Sequence, residues 1–422
     1  MAKNQPRRAA LLFTGTELLR GKQNTYPPLL AAKLAPLGFA PSIAVTLPDC
    51  EASIAAALKN ALKDAELVVL VGGLGPTFDD LSREGAARAL KRPLVFVPRA
   101  LREIEARCRR FARVMPESNK RQAYALKGAQ LLKNPNGTAP GQLLEARVGG
   151  RKRMLVLLPG PLREWEPMFD GLALPRIKKH FPAGGAHYSA QLALGGIGES
   201  MADEKIRPVL AQYPDTEFTI LSAPGDVKVY ASGMAADAKA AAKLAAQISA
   251  KLKAALGASV YSETGEPLAH HIGKLLKRRR WTLAAAESCT GGQVSDKITG
   301  VAGSSEYFKG AAVVYSNELK MKLLGVKKAT LAKHGAVSQE CAEEMAEGAR
   351  KRLGADCAVA ITGIAGPGGG SKEKPVGLVY IAVSVKGRPA VCKRFCFVGA
   401  RESIKSYSCA NALQLLRINL ES

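Results

Sequence analysis

Residues 281–292 read WTLAAAESCTGG, and from Tyr315 to Lys320 the chain reads YSNELK. An apolar run, Trp281 to Ala286, enters a corner of small polar residues and two glycines, and a helix-like segment follows. In this way α/β folds present a nucleophile at the end of a strand, with the N–H groups of the helix start turned toward an anion. Outward from this corner, helix and strand alternate. We read helix 266–279, strand 281–286, helix 291–299, strand 310–315, helix 338–353, strands 356–361, 376–385 and 390–398, and a terminal helix 401–419. The start of the chain repeats the alternation: strand 9–15, a helix over 27–38 closed by Gly38, strand 39–47, an Ala-rich helix 51–65 and the apolar strand 66–73. This predicts a parallel sheet with helices on both faces. A basic amphipathic helix over 99–113 and a buried strand over 154–160 follow. Residues 183–186 (AGGA) read as a linker. Beyond them a small α+β module has a strand at 188–194, a helix from Met201, strands at 217–222 and 227–233, and an Ala/Lys helix over 235–256. The fold class is α/β, with domains expected over 1–182, 183–260 and 261–422.

Composition narrows the function. With 422 residues the chain has room for two to three domains, and a hydrophobic fraction of 47% marks it as globular. No apolar run reaches the roughly 18 residues of a membrane span. The opening MAKNQPRRAALLF is followed at once by Gly15, Glu17 and Arg20, too soon for a signal-peptide core. Eight cysteines lack metal-ligand spacing and read as free thiols. A cytoplasmic, non-membrane protein is expected. The net charge of +25 divides as +15 over 1–182, 0 over 183–262 and +10 over 263–422. Local clusters stand at Arg107, Arg109, Arg110 and Arg113, and at Lys277, Arg278, Arg279 and Arg280. Neither is interleaved with stacking aromatics, so specific nucleic-acid binding is not expected. Attraction of phosphorylated substrates accounts for the charge equally well.

Three stretches carry chemistry. In the opening motif Ser288 is the candidate nucleophile, and it needs a base. None of the five histidines (His180, His187, His270, His271 and His334) stands in a pairing motif. Lys320 is the alternative base, since burial lowers a lysine pKa, although a helix lysine is more commonly solvated. Tyr315 offers a proton relay and Asn317 a partner for a substrate amide. Cys289 is the rival nucleophile; thiols are stronger nucleophiles, but cysteine is also commonly buried and inert. The residues alone leave that choice open. Thr290, Gly291 and Gly292 follow as substrate-binding candidates. The second stretch, ITGIAGPGGGS (361–371), ends a buried strand. Its Thr362, Gly363, Gly366, Gly368 and Gly369 fit the wall of a ribose or phosphate pocket by close backbone approach, or else a flexible loop. The third, VGGLGPTFDD (71–80), is a Gly-rich turn after a parallel strand, where open α/β sheets bind ligands. Gly73, Gly75 and Thr77 face that role, with Glu17 and Asn119 from neighbouring polar runs. Asp79 and Asp80 would repel phosphate unless a divalent metal lies between them. The alternative is a tight turn with an Asp helix cap.

AESCTGG, GSSEYFKGAAVVYSNELK, LLGV, HGAVS and ITGIAGPGGGSKEKPVG, in that order, resemble the C-terminal domain of the competence/damage-inducible CinA family. The resemblance extends over nearly the full chain. It implies that the C-terminal domain is a nicotinamide mononucleotide amidohydrolase, releasing ammonia without a cofactor. It also implies Ser288 as nucleophile, Lys320 as its base and Tyr315 assisting. GTELLRG, GGLGPTFDD, MPESNKRQA, NPNGTAPG and LPGPLRE are similar to the family's MoaB/MogA-like domain. For that domain the resemblance implies ADP-ribose pyrophosphatase activity with cobalt, magnesium or manganese. Where the family reads Asp-Thr-Asn, this chain reads Asn24-Thr25-Tyr26. The middle segment with GGIGES looks like the family's KH-like domain, without a basic-flanked GXXG loop. A homodimer or larger assembly is implied. The other class of function, a non-enzymatic accessory in DNA uptake or recombination, follows from the charge and the family's name.

Overall fold

The computed structural model describes residues 6–110, 114–182, 184–223 and 225–422. These fall into two compact units, Met1–Tyr188 with Gly233–Leu244, and Ser189–Ser232 with Ala245–Ser422. Arg113 of the first basic cluster, Ala183 of the expected linker and the first five residues lie outside the described residues.

The first unit runs β1 (Arg7–Thr14), α1 (Thr16–Leu19), α2 (Tyr26–Leu34), β2 (Phe39–Leu47), α3 (Glu51–Asp64), β3 (Leu67–Val71), α4 (Ser82–Leu90), β4 (Leu94–Phe96) and α5 (Pro98–Arg110). It continues through β5 (Tyr124–Leu126), β6 (Gln130–Leu132), β7 (Gly141–Val148), β8 (Arg151–Leu158), α6 (Leu162–Met168) and α7 (Leu174–His180). Its main sheet has the order β2-β1-β3-β8-β7-β6. Successive strand residues point to opposite faces. Leu11, Phe13, Val69 and Val156 therefore pack with Trp165 and Phe169 on one side. Leu12, Val68, Leu70 and Leu155 meet Ile54, Leu58 and Leu62 on the other. The expected all-parallel sheet is corrected: β2, β1, β3 and β8 are parallel, but β7 runs antiparallel to β8 and β6 antiparallel to β7. The signal was Gly149-Gly150. Both residues have positive φ, 58° and 76°, and they link the paired Val148 and Arg151. That is a two-residue hairpin connection, whose backbone only glycine-like residues enter easily.

A four-stranded sheet in the order β10-β11-β9-β12 follows, from β9 (Ala186–Leu194), β10 (Glu217–Ala223), β11 (Asp226–Ala235) and β12 (Val260–Ser262), most of its residues belonging to the second unit. Helices α8 (Glu199–Leu210) and α9 (Ala238–Leu256) are interspersed. Then follow α10 (Leu268–Arg279), β13 (Leu283–Glu287), α11 (Gln293–Thr299), β14 (Phe308–Val313), α12 (Asn317–Leu324), α13 (Lys328–His334), α14 (Gln339–Arg352), β15 (Cys357–Gly363), β16 (Leu378–Val385), β17 (Val391–Cys396) and α15 (Arg401–Glu421). These strands order as β14-β13-β15-β16-β17, the first three parallel and the last two antiparallel. Helix α13 was not anticipated, and α12 only through the reading of Lys320 as a helix lysine. One sheet face is large and aliphatic, with Leu283, Val359, Ile361, Ile381 and Val383. The other is built of Ala284, Ala286, Ala358, Ala360 and Ala382, and Met345 and Ala346 of α14 lie against it. Small side chains let a helix approach closely; a Cβ at Gly348 would stand 1.9 Å from the Leu324 carbonyl oxygen. Among the described residues no helix is long and apolar enough to cross a membrane.

Candidate active site

The five residues of β13 are all buried, so the strand ends inside the molecule and delivers Ser288 to a turn. Ser288 N–H donates to the Ile361 carbonyl at 3.1 Å, which sets the turn beside the end of β15. Glu287, with no exposed surface, holds the turn from the other side. Its carboxylate accepts from Gly292 N–H (2.9 Å), Val294 N–H (3.1 Å), Ser295 N–H (2.9 Å) and Ser295 Oγ (2.6 Å). A buried carboxylate with four donors is fully compensated. The consequence corrects an expectation. The N–H groups of Gly292, Val294 and Ser295 at the start of α11 serve Glu287 and are not free for an anion. Gly291 N–H is spent on the Ser288 carbonyl at 3.1 Å. Among the described residues, Thr290 N–H finds no neighbouring acceptor and Cys289 N–H meets only its own thiol. Gly291 and Gly292 have φ of 65° and 105°. A side chain would strain both, and nothing lies within 4 Å of a Cβ built at Gly291.

Lys320 is 1% exposed, not the solvated helix lysine its position in the sequence suggested. Ser316 caps α12 by accepting from Leu319 N–H, and the first turn carries Lys320 inward. Its Nζ lies 3.1 Å from Ser288 Oγ, 2.8 Å from the Val314 carbonyl and 3.4 Å from the Tyr315 carbonyl. Desolvation lowers its pKa below the ordinary lysine value, opposed by the thiols of Cys341 and Cys289. A neutral amine has two N–H bonds and one lone pair. Two of its three neighbours are carbonyls, which only accept. The lone pair is therefore left for the Ser288 hydroxyl, which donates. Cys289 is buried, and desolvation pushes its thiol up to about 11. It is thus a protonated neighbour at neutral pH, and thiolate is the nucleophilic form.

The other candidates divide. The Tyr315 phenol is exposed and accepts from Arg401 Nη2 at 2.9 Å; only its backbone carbonyl reaches Lys320. Arg401, at the start of α15, also donates to the Gly366 carbonyl, tying the Gly-rich loop to the Tyr315 strand end. Nothing in the sequence pattern pointed to Arg401. Thr362 is buried, and its hydroxyl donates to the Ala336 carbonyl at 2.7 Å. Gly363 lies against the Leu378 carbonyl, whereas a Cβ at Gly368 would meet nothing within 4 Å and one at Gly369 only Ile364. Asn317 is exposed at the first position of α12. Thr290 Oγ1 and Gln293 Oε1 are buried without a hydrogen-bond partner among the described residues. Gln293 went unread because, by sequence, it is one polar residue at a helix start. His271 bonds Glu421 at 2.9 Å and His334 bonds Glu340 at 3.1 Å. His180 likewise pairs with Glu145 at 3.1 Å.

In the first unit the Gly-rich turn lines a cavity of about 790 Å³, with Glu17, Gly73, Gly75, Thr77, Asp79 and Asp80 on its wall. Two arginines fix the turn by its carbonyls. Arg83, itself buried, donates to Leu74 and Gly75; Arg121 donates to Thr77 and Asp80 and pairs with Glu84 at 3.0 Å. Asn119 does not line the cavity. It donates to Gln122 Oε1 at 3.0 Å, and Gln122 does. Tyr26, in the departing Asn24-Thr25-Tyr26 segment, packs edge-on against Trp165 at 5.5 Å. It is a half-buried aromatic packed against the core. Neither Asp79 nor Asp80 caps α4, whose N-cap is Leu81. Asp79 Oδ1 accepts from Thr77 Oγ1 at 2.6 Å, and Asp80 Oδ2 accepts from Thr77 N–H at 2.8 Å. Both carboxylates are thus engaged by one threonine. Among the described residues no three His, Cys, Asp or Glu side chains converge as a metal site. The donor set does not fit a bound divalent ion.

Comparison with known proteins divides the chain into three segments. Family models match residues 265–420 as the CinA C-terminal domain, 10–179 as a "Probable molybdopterin binding domain" and 189–262 as the damage-inducible protein CinA KH domain. A competence-damage inducible protein of Moorella thermoacetica is 41% identical over 409 residues, 97% of each chain. The chain belongs to the CinA family. A CinA-like protein of Acidobacterium capsulatum is 38% identical over 413 residues, covering 98% of this CinA-family chain and 99% of the relative. The crystal structure of competence/damage inducible protein CihA from Agrobacterium tumefaciens is 40% identical, covering 37% of this chain and 94% of its own, with a TM-score of 0.36.

Proposed function

We propose that the C-terminal domain hydrolyses an amide, and that its substrate is nicotinamide mononucleotide, as the family resemblance implies. The observation that carries the reading is the buried Lys320 amine 3.1 Å from Ser288 Oγ, with its other hydrogen-bonding positions taken by two carbonyls. Neutral Lys320 takes the Ser288 proton as Oγ attacks the carboxamide carbon. The oxyanion meets the N–H groups of Cys289 and Thr290, each such donor contributing about 3 kcal/mol to the transition state. The lysine ammonium returns the proton to the leaving nitrogen, and ammonia departs. Water, deprotonated by Lys320, then cleaves the acyl-enzyme to nicotinate mononucleotide and free Ser288. The unpartnered Thr290 hydroxyl and the open backbone at Gly291, Gly292, Gly368 and Gly369 suit the ribose phosphate, and exposed Asn317 the mouth of the site. Tyr315 acts through Arg401 rather than as a proton relay. The test is ammonia release from nicotinamide mononucleotide by purified full-length protein. Ser288→Ala and Lys320→Ala should both abolish it, and wild-type activity in either sinks the proposal.

For the Gly-rich cavity we propose a phosphorylated sugar ligand, ADP-ribose being the one the resemblance implies. The carbonyls held by Arg83 and Arg121 support this, because they leave the turn's N–H edge for a phosphate. Full-length Ser288→Ala protein should bind ADP-ribose saturably in metal-free buffer, and release of AMP on adding cobalt, magnesium or manganese would make the cavity a hydrolytic site. No turnover with any of the three leaves the cavity as a binding site only.

A further inference from the structure

Between α5 and the segment from Gln130 to Pro140 lies a second cavity of about 680 Å³. That size suits a small molecule. Its floor is apolar, with Ala100, Ile104 and Leu131. Its walls are cationic. Arg99, Arg107 and Arg110 recur at helical spacing on one side of α5, and Lys133 stands opposite them. The one carboxylate in the lining, Glu103, pairs with Arg99 at 3.0 Å. Arg107 donates to the Pro135 carbonyl and so fastens the opposite wall to the helix. Among the described residues Arg110 and Lys133 have no ion-pair partner.

Cations converging on a low-dielectric floor repel one another and concentrate field on an anion placed between them. The other basic residue near this end of α5, Arg109, is exposed and does not line the cavity. The charge is therefore concentrated by the fold and is not merely a share of the chain's general excess. The cavity shares Arg107, Gly137 and Thr138 with the Gly-rich cavity, so the two adjoin. The Gly-rich side contributes carboxylates, including Glu17, Asp49 and Glu164, which suit hydroxyl groups.

We propose that the α5 cavity is a binding subsite for the diphosphate group of a small molecule, with Arg110 and Lys133 as its principal anion contacts. Arg110 supplies paired N–H donors and Lys133 a compact point charge, the two usual ways of holding phosphate. The subsite stands whether or not either hydrolysis occurs, because neither residue belongs to those sites.

Inorganic pyrophosphate titrated into the full-length protein, followed by calorimetry in metal-free buffer at low ionic strength, tests it. Wild type should bind saturably. Arg110→Glu and Lys133→Glu should each weaken binding by roughly tenfold or more, whereas Arg109→Glu should stay within about twofold. All three positions are exposed, and matched circular dichroism and thermal unfolding establish that the variants are folded. Three results would overturn the assignment. One is no saturable binding by wild type at millimolar pyrophosphate. Another is equal weakening by Arg109→Glu, which means diffuse charge. The last is unchanged binding by both cavity variants, which places the anion elsewhere.

Discussion

At the scale of single residues, the proposed amide hydrolysis turns on the protonation of Lys320. Only the neutral amine accepts the Ser288 proton. The rate should therefore rise with pH through the lowered Lys320 pKa and level off above it, as a pH profile of ammonia release will report. The same shift has a stability consequence. A lysine whose folded pKa lies below its unfolded value binds fewer protons when folded, so stability rises with pH between the lowered value and the ordinary 10.5. In Lys320→Met that slope should disappear, measured as the difference in denaturant midpoint between neutral and alkaline pH. Cys289 is the matching negative case. With its thiol pushed up to about 11, Cys289→Ala should keep ammonia release within about tenfold of wild type. Loss comparable to that in Ser288→Ala would return the nucleophile's role to the thiol.

At the scale of elements, the nucleophile turn is a strand end clamped to a helix start. Glu287 joins β13 to α11 through four hydrogen bonds, and no other side chain caps that helix. Glu287→Ala leaves buried N–H groups unsatisfied and should cost about 2–4 kcal/mol in chemical denaturation. Glu287→Gln keeps the size but turns one acceptor into a donor facing N–H groups. It should lower kcat more than it raises KM, because the displaced turn misplaces Ser288 rather than the ribose-phosphate contacts. In the first unit, Trp165 packs against both Tyr26 and Phe169. Trp165→Ala should destabilise that unit by about 3–5 kcal/mol, with its unfolding transition shifted accordingly.

At the scale of the whole molecule, the charge of +25 is the dominant long-range property. The structure disperses much of the second basic cluster: Lys277 pairs with Glu306 at 2.7 Å and the Arg279 guanidinium lies 5.1 Å from the Trp281 ring centroid. DNA affinity should fall steeply with salt and be changed by less than about threefold on charge reversal at Arg278 or Arg279. A larger, sequence-dependent loss in a filter-binding series would favour the accessory role in DNA uptake.

The alternation of apolar runs with Gly- and Ser-rich corners sufficed for the α/β class, and the ordered motifs for the family and the Ser288–Lys320 pair. These are local patterns of period and spacing, and they survive in one dimension. The Gly149-Gly150 pair carries a hairpin signal that the strand–helix alternation alone does not read. Partner choice was not legible, because it depends on groups far apart in the chain. Lys320 and Ser288 are 32 residues apart, and the amine's burial comes from α12 folding inward. The same holds for the Tyr315 phenol turning to Arg401, Asn119 serving Gln122, and Thr77 engaging both aspartates. Sequence determined which residue types were available at each strand end. Only tertiary packing decided which of them lost water and which found a partner, and desolvation and hydrogen-bond geometry are what turn a lysine into a base.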